Sequence, residues 1–103
     1  MEKSKRFSSE YTMLSIIEYL SLYSKQTPVS KYHIMTKIIS IKQQRPDRIA
    51  MILNKLEENG YINSINTSNT KFYTITEKGF DAYVKWINEF LVFVRNMNNE
   101  NIA

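Results

Sequence analysis

The feature that most constrains this chain is a change of hydrophobic period at Asn59-Gly60. Before it, Ile49, Ile52, Leu53 and Leu56 repeat at i, i+3, i+4 and i+7, the spacing of one face of an α-helix. After it, Tyr61-Ile62-Asn63-Ser64-Ile65 and Phe72-Tyr73-Thr74-Ile75 are rich in β-branched and aromatic residues and read as two strands joined by a polar stretch over residues 66–71. Gly60 suits the left-handed position just past a helix end, so the helix stops and turns directly into a hairpin. Helical period resumes at Thr76, a cap followed by Glu77 in the first turn.

Upstream, Ser8 and Ser9 with Glu10 open a first helix whose Met13, Ile16, Ile17 and Leu20 share a face and which ends near Tyr23. Pro28 pushes Thr27 towards extended geometry, Val29 fits a very short strand, and Ser30 stands as the next N-cap. A second helix is expected over residues 31–39, with Ile34, Met35 and Ile38 inward. Residues 40–44 lack a clean period and read as a turn that Ile41 anchors in the core. Pro46 with Asp47 behind it signals the start of the third helix, because proline lacks only an N–H that would be orphaned there anyway. Arg48, Met51 and Lys55 share a face of that helix other than its apolar one.

The last helix is expected to run to about Met97. Phe80, Val84, Ile87, Leu91 and Val94 form one stripe on it, and Tyr83, Trp86, Phe90, Phe93 and Met97 form another. Together they cover more circumference than a monomer can bury, which predicts a symmetric homodimer through the second stripe. The expected organisation is a flexible basic arm (1–7), a single domain (8–78), a dimerisation helix continuous with it (79–97) and a flexible tail (98–103).

A chain of 103 residues has room for one core. Its formal charge of +4 favours polyanionic partners without requiring them. The absence of cysteine excludes disulfides and thiolate metal sites and fits a reducing interior, so a cytoplasmic protein is expected. No apolar run approaches the length of a membrane span. His33, the only histidine, has no carboxylate at ligand spacing, and with two glycines there is no phosphate-cradling loop. No enzyme, metal or cofactor is therefore expected, and no small-molecule ligand is identifiable from the sequence.

The fold class is α+β and mostly helical. Helix, helix, turn, helix, hairpin, helix is the order of a winged helix-turn-helix domain, here followed by a long C-terminal helix. Leu56-Glu57-Glu58-Asn59-Gly60-Tyr61-Ile62 and Tyr73-Thr74-Ile75-Thr76-Glu77-Lys78-Gly79 resemble the two joints of the compact winged-helix regulators common in archaea and their viruses and plasmids. That resemblance implies that the third helix leads into the wing and the wing into the final helix. It also implies, from members that dimerise through the final helix, an antiparallel coiled coil. The turn after the second helix is long for the group.

In such domains the third helix enters the major groove of double-stranded DNA. Gln43, Gln44, Arg45 and Arg48 at its start are base-reading types, arginine for guanine and glutamine for adenine, and Met51 on the same outward face can meet a thymine methyl. Asp47 is read as a helix-start residue. Lys55, with Ser30, Lys31 and Tyr32 at the start of the second helix, suits the DNA backbone. The wing tip, Asn66, Thr67, Ser68, Asn69, Thr70 and Lys71, suits phosphate or the minor groove, although a polar tip is also what turns look like.

The favoured function is a transcription regulator, a repressor at an inverted-repeat operator. Two alternatives stand beside it: an architectural or plasmid-partition protein that coats DNA with weak sequence preference, and a protein-interaction winged helix that binds no DNA.

Overall fold

The computed structural model describes residues 8–102, with side chains to residue 98; the basic arm expected over residues 1–7 lies outside the described residues. The elements follow as α1 (Ser9–Tyr23), β1 (Val29–Ser30), α2 (Lys31–Lys37), α3 (Ile39–Lys42), α4 (Pro46–Glu58), β2 (Ile62–Asn66), β3 (Lys71–Ile75) and α5 (Glu77–Ile102). The order read from the sequence is observed, with one additional helical turn, α3.

The Ser8 hydroxyl caps α1 by accepting the Tyr11 N–H at 3.0 Å. Ser24 ends the helix and also reaches the sheet, since its hydroxyl donates to the Leu20 carbonyl at 2.7 Å and accepts the Ile75 N–H at 2.9 Å. The short strand β1 pairs with β3 only at Val29↔Tyr73 and Ser30↔Phe72. Ser24 thus satisfies a strand donor that β1 does not reach, and it pins the sheet to the end of α1.

The second helix ends at Lys37, two residues before the expected end, because Ile38 is extended (φ −88°, ψ 114°). Thr36, Ile38 and Ile39 are β-branched and weak helix formers, and the Thr36 hydroxyl donates back to the Tyr32 carbonyl at 2.9 Å. The chain then closes a single turn, α3, instead of a featureless turn. Both Ile38 and Ile41 enter the core while Ile39 between them is 82% exposed.

Proline at the first turn of α4 and a complete C-terminal cap bound the third helix of the sequence reading. Gly60 adopts φ +84°, its N–H donates to the Glu57 carbonyl, and the Tyr61 N–H donates to the Leu56 carbonyl, each at 3.0 Å. Ile49, Ile52, Leu53 and Leu56 are all buried, joining Ile16, Leu20, Ile34 and Ile41 in one core beneath the sheet. The hairpin registers Ile62↔Ile75 through Asn66↔Lys71, so the two strands extend into the polar stretch and leave residues 67–70 as the turn. The sheet order is β1-β3-β2.

The joint into α5 is made by Thr76. Its hydroxyl donates to the Gly60 and Tyr61 carbonyls at 2.7 and 2.9 Å and accepts the Gly79 N–H at 3.0 Å. The final helix continues to Ile102, past the end expected near Met97, since neither glycine nor proline interrupts the asparagine-rich stretch expected to fray.

A Cβ at Gly79 would collide with the Tyr61 carbonyl oxygen and lie 2.7 Å from the Ile75 Cδ1. Backbone cannot yield there as a side-chain tip can. Gly79→Ala is therefore expected to destabilise the protein by about 1–3 kcal/mol, read as a lowered Tm in thermal denaturation; an unchanged Tm would contradict this account of the joint.

Burial pushes the Tyr73 hydroxyl above the ordinary phenol pKa, and the nearby Glu57 carboxylate adds to the shift. Ionisation is then easier in the unfolded chain than in the folded one. The stability that this tyrosine contributes is complete below its ordinary pKa of about 10 and is lost as pH rises through its folded value. Tyr73→Phe should flatten the alkaline fall in stability measured by denaturant titration between about pH 9 and pH 11.

Candidate nucleic-acid interface

The outward face of α4 carries Met51, 71% exposed, with Arg48 one turn before it and Lys55 one turn after. The four buried apolar residues hold the opposite face against the core, so the direction of this surface is set by the packing of the helix. Arg45, the N-cap, and Asp47 form an ion pair at 3.1 Å with both side chains well exposed. The other Asp47 oxygen accepts the Arg48 N–H at 2.9 Å, so the carboxylate serves the positive start of the helix. An exposed pair of this kind is worth about 1 kcal/mol or less, small enough for Arg45 to exchange Asp47 for a phosphate or a base.

Gln43 is exposed, but Gln44 points inward. Its amide N–H groups donate to the Thr12 hydroxyl at 3.0 Å and the Ser40 carbonyl at 2.7 Å, and its oxygen accepts the Arg48 Nε–H at 2.8 Å. The base-reading part expected of Gln44 conflicts with this arrangement, because its hydrogen-bonding groups are already engaged within the protein. Thr12, on α1 and fully buried, belongs to the same cluster. Nothing in the sequence marks it, since it lies 32 residues from Gln44 and among apolar core positions.

At the start of α2, the Ser30 hydroxyl accepts the His33 N–H at 3.1 Å and lies 3.2 Å from the His33 Nδ1. Tyr32 is 71% exposed and meets the His33 ring edge to face. Lys31 is half-buried beside it. These residues form a polar and aromatic edge at the start of α2, the terminus from which the helix N–H groups emerge.

In the wing, Thr67 and Thr70 are largely occupied with each other. The Thr67 N–H and hydroxyl both donate to the Thr70 carbonyl at 2.9 Å, and the Thr70 N–H returns to the Thr67 hydroxyl at 3.2 Å. That closes the turn and leaves Ser68 and Asn69 exposed at the tip, with Asn66 and Lys71 paired at its base. The Ser64 hydroxyl donates to the Glu57 carboxylate at 2.6 Å, tying the wing to α4. This tie crosses the helix–strand joint and is not visible as a motif.

The last helix divides into two parts. Phe80 lies under the Lys25 ammonium at 3.6 Å from its ring centre, and Tyr83 packs against the core. Burial, with the Glu18 carboxylate nearby, raises the Tyr83 hydroxyl pKa. Tyr83 therefore departs from the exposed stripe expected of it, because α5 turns that flank towards α1. Further along, Trp86, Phe90, Phe93 and Met97 are 39–58% exposed, and Val84, Leu91 and Val92 from the remaining circumference are exposed as well. The Trp86 and Phe90 rings stack at 5.7 Å, and Phe93 continues the row at 6.5 Å from Phe90.

Among the described residues no helix is long and apolar enough to cross a membrane, and no group of His, Asp or Glu could hold a metal ion.

No protein-family model matches the sequence, and no curated protein does. Solved structures do match in fold. A Streptococcus mutans protein superimposes with a TM-score of 0.70 at 22% identity, over 90% of this chain and 88% of its own. MepR, a transcription regulator of the Staphylococcus aureus multidrug efflux pump MepA, gives 0.74 at 14% identity, over 96% of this chain and 68% of its own. A PadR-like transcription factor from Bacteroides fragilis gives 0.70 at 15% identity, over 92% of each chain. With the helix order, the three-stranded sheet and the extended final helix, these likenesses place the chain in the winged helix-turn-helix fold.

Proposed function

We propose that this protein binds double-stranded DNA with sequence specificity as a homodimer and acts as a transcription regulator, a repressor at an inverted-repeat operator. The observation that carries the reading is the outward face of α4, where Arg48, Met51 and Lys55 follow one another beside an exposed Arg45 and Gln43, flanked by a wing tied to the same helix. A helix held by four buried residues and presenting arginines at its N-terminal end is built to enter a major groove. Arg45, Arg48, Gln43 and Met51 are assigned to base edges, and Lys55 to phosphate. Ser30, Lys31 and Tyr32 on α2 take the backbone of the adjoining strand, and the wing residues Asn66, Ser68, Asn69 and Lys71 take phosphate or the minor groove, with Thr67 and Thr70 shaping the turn.

Selection of genomic fragments followed by footprinting at physiological salt should yield a discrete protected inverted repeat; spreading protection or no binding would reject the reading. Arg48→Ala should weaken binding to that site by about 1–3 kcal/mol while leaving binding to random DNA nearly unchanged. Equal losses on both would count against base reading.

The row Trp86, Phe90, Phe93 and Met97 supports dimerisation, since a monomer would leave it in water. Two recognition helices about 34 Å apart then face successive turns of one side of the duplex. A substitution in a two-fold interface acts twice, so Phe90→Asp should weaken dimerisation by about 3–6 kcal/mol, counting about 1.5–3 kcal/mol for each aromatic removed. Sedimentation should find the variant monomeric at micromolar concentration and the parent dimeric; a monomeric parent would rule out the dimer.

A further inference from the structure

The side chain of Gln44 joins the interior of the domain to the proposed reading face. Its amide has two N–H groups and one oxygen, and the environment leaves a single way to place them. The Ser40 carbonyl only accepts, so it takes one N–H at 2.7 Å. The Thr12 hydroxyl spends its own hydrogen on the Ser8 carbonyl at 3.0 Å, so towards Gln44 it also accepts, at 3.0 Å. With both N–H groups directed inward, the amide oxygen faces α4 and receives the Arg48 Nε–H at 2.8 Å. Reversing the amide would set oxygen against two acceptors and N–H against a donor.

We infer that Gln44 is a positioning residue that fixes the Arg48 guanidinium for base recognition, with the buried Thr12 of α1 and the Ser40 carbonyl fixing Gln44 in turn. The inference rests on the assignment of Arg48 as a base reader. A guanidinium on a flexible stem must be ordered before it can discriminate between bases. A bond at Nε holds the plane of the group and shortens the search, and the ordering is done before DNA arrives. Gln44 is thus a determinant of specificity that touches no base.

The test uses the full chain, the DNA site obtained by selection, and the same site altered one base pair at a time. Gln44→Met keeps the length of the side chain and removes all three hydrogen bonds. It should lower discrimination about fivefold or more at the base pair where Arg48→Ala loses it, and at no other. Combined with Arg48→Ala it should add nothing at that position. Binding to random DNA, read in the same assay, should stay near the parent value.

Thr12→Val, which removes the hydroxyl acceptor but keeps the shape, should reproduce part of the loss at the same base pair, and Thr12→Ser should restore it. These variants keep the test open should Gln44→Met fold poorly, as judged by its circular dichroism. Loss of discrimination at a different base pair would make Gln44 a reader itself and overturn the inference, as would unchanged discrimination in both Gln44→Met and Thr12→Val. If Arg48→Ala alters preference at no base pair, the assignment of Arg48 falls, and the inference falls with it.

Discussion

Three elements meet on the backbone of one residue, Tyr61. Its N–H completes the cap of α4 by donating to the Leu56 carbonyl. Its carbonyl accepts both the Thr76 N–H, at 3.2 Å, and the Thr76 hydroxyl, at 2.9 Å. Gly79 passes so close beneath that carbonyl that no side chain fits. The end of α4, the start of the wing and the start of the final helix are thereby fixed relative to one another with little help from side-chain packing. The Lys78 ammonium, donating to the Asn59 carbonyl at 2.8 Å and lying 4.6 Å from the centre of the Tyr61 ring, closes the outer side of the same joint. Without the left-handed Gly60 the chain could not turn sharply enough to bring these groups together.

The joint was legible in the sequence because its parts are local. Gly60, Thr76 and Gly79 stand beside the elements they terminate, and a change of period at Asn59-Gly60 has few structural meanings. Local signals also located Pro46 at the start of α4 and Ser30 at the start of α2. The break at Ile38 was not legible. Its cause is competition between a weak helical preference in a β-branched run and the demand that both Ile38 and Ile41 reach the core, and only the packed structure decides that. The inward turn of Gln44 escaped for the same reason. A glutamine ahead of an arginine-bearing helix start carries the chemistry of a reader until a buried threonine from a distant helix is found to occupy its amide.

The two stripes on α5 illustrate a further limit. Periodicity correctly indicates that the helix has more apolar surface than one monomer needs, but it does not say where along its length the surplus lies. The structure divides the helix by distance from the body: Phe80 and Tyr83 find partners in Lys25 and the core, whereas residues of both stripes beyond them stand in water. At 1.5 Å per residue the helix is about 39 Å long, and only its first turns lie over a domain this small. Exposure therefore depends on distance from the body as well as on face, since Ile87 and Val94 of the first stripe stay half-buried while Trp86, Phe90 and Phe93 stand in water.

One element touches both ends of the proposed mechanism. At its first turns α1 supplies Thr12, which holds Gln44 and through it Arg48. Near its middle Glu18 lies by Tyr83 of α5, and just past its end Lys25 covers Phe80. A shift of α5 relative to the domain must displace these contacts, and α1 is a stiff rod whose Ile16, Ile17 and Leu20 are locked in the core. In a dimer joined through α5, the separation of the two recognition helices and the set of their arginines would both be referred to this helix. If the proposed function holds, the spacing of an operator's half-sites and the base preference set by Arg48 would be two readouts of one piece of geometry, the seat of α1 between α4 and α5.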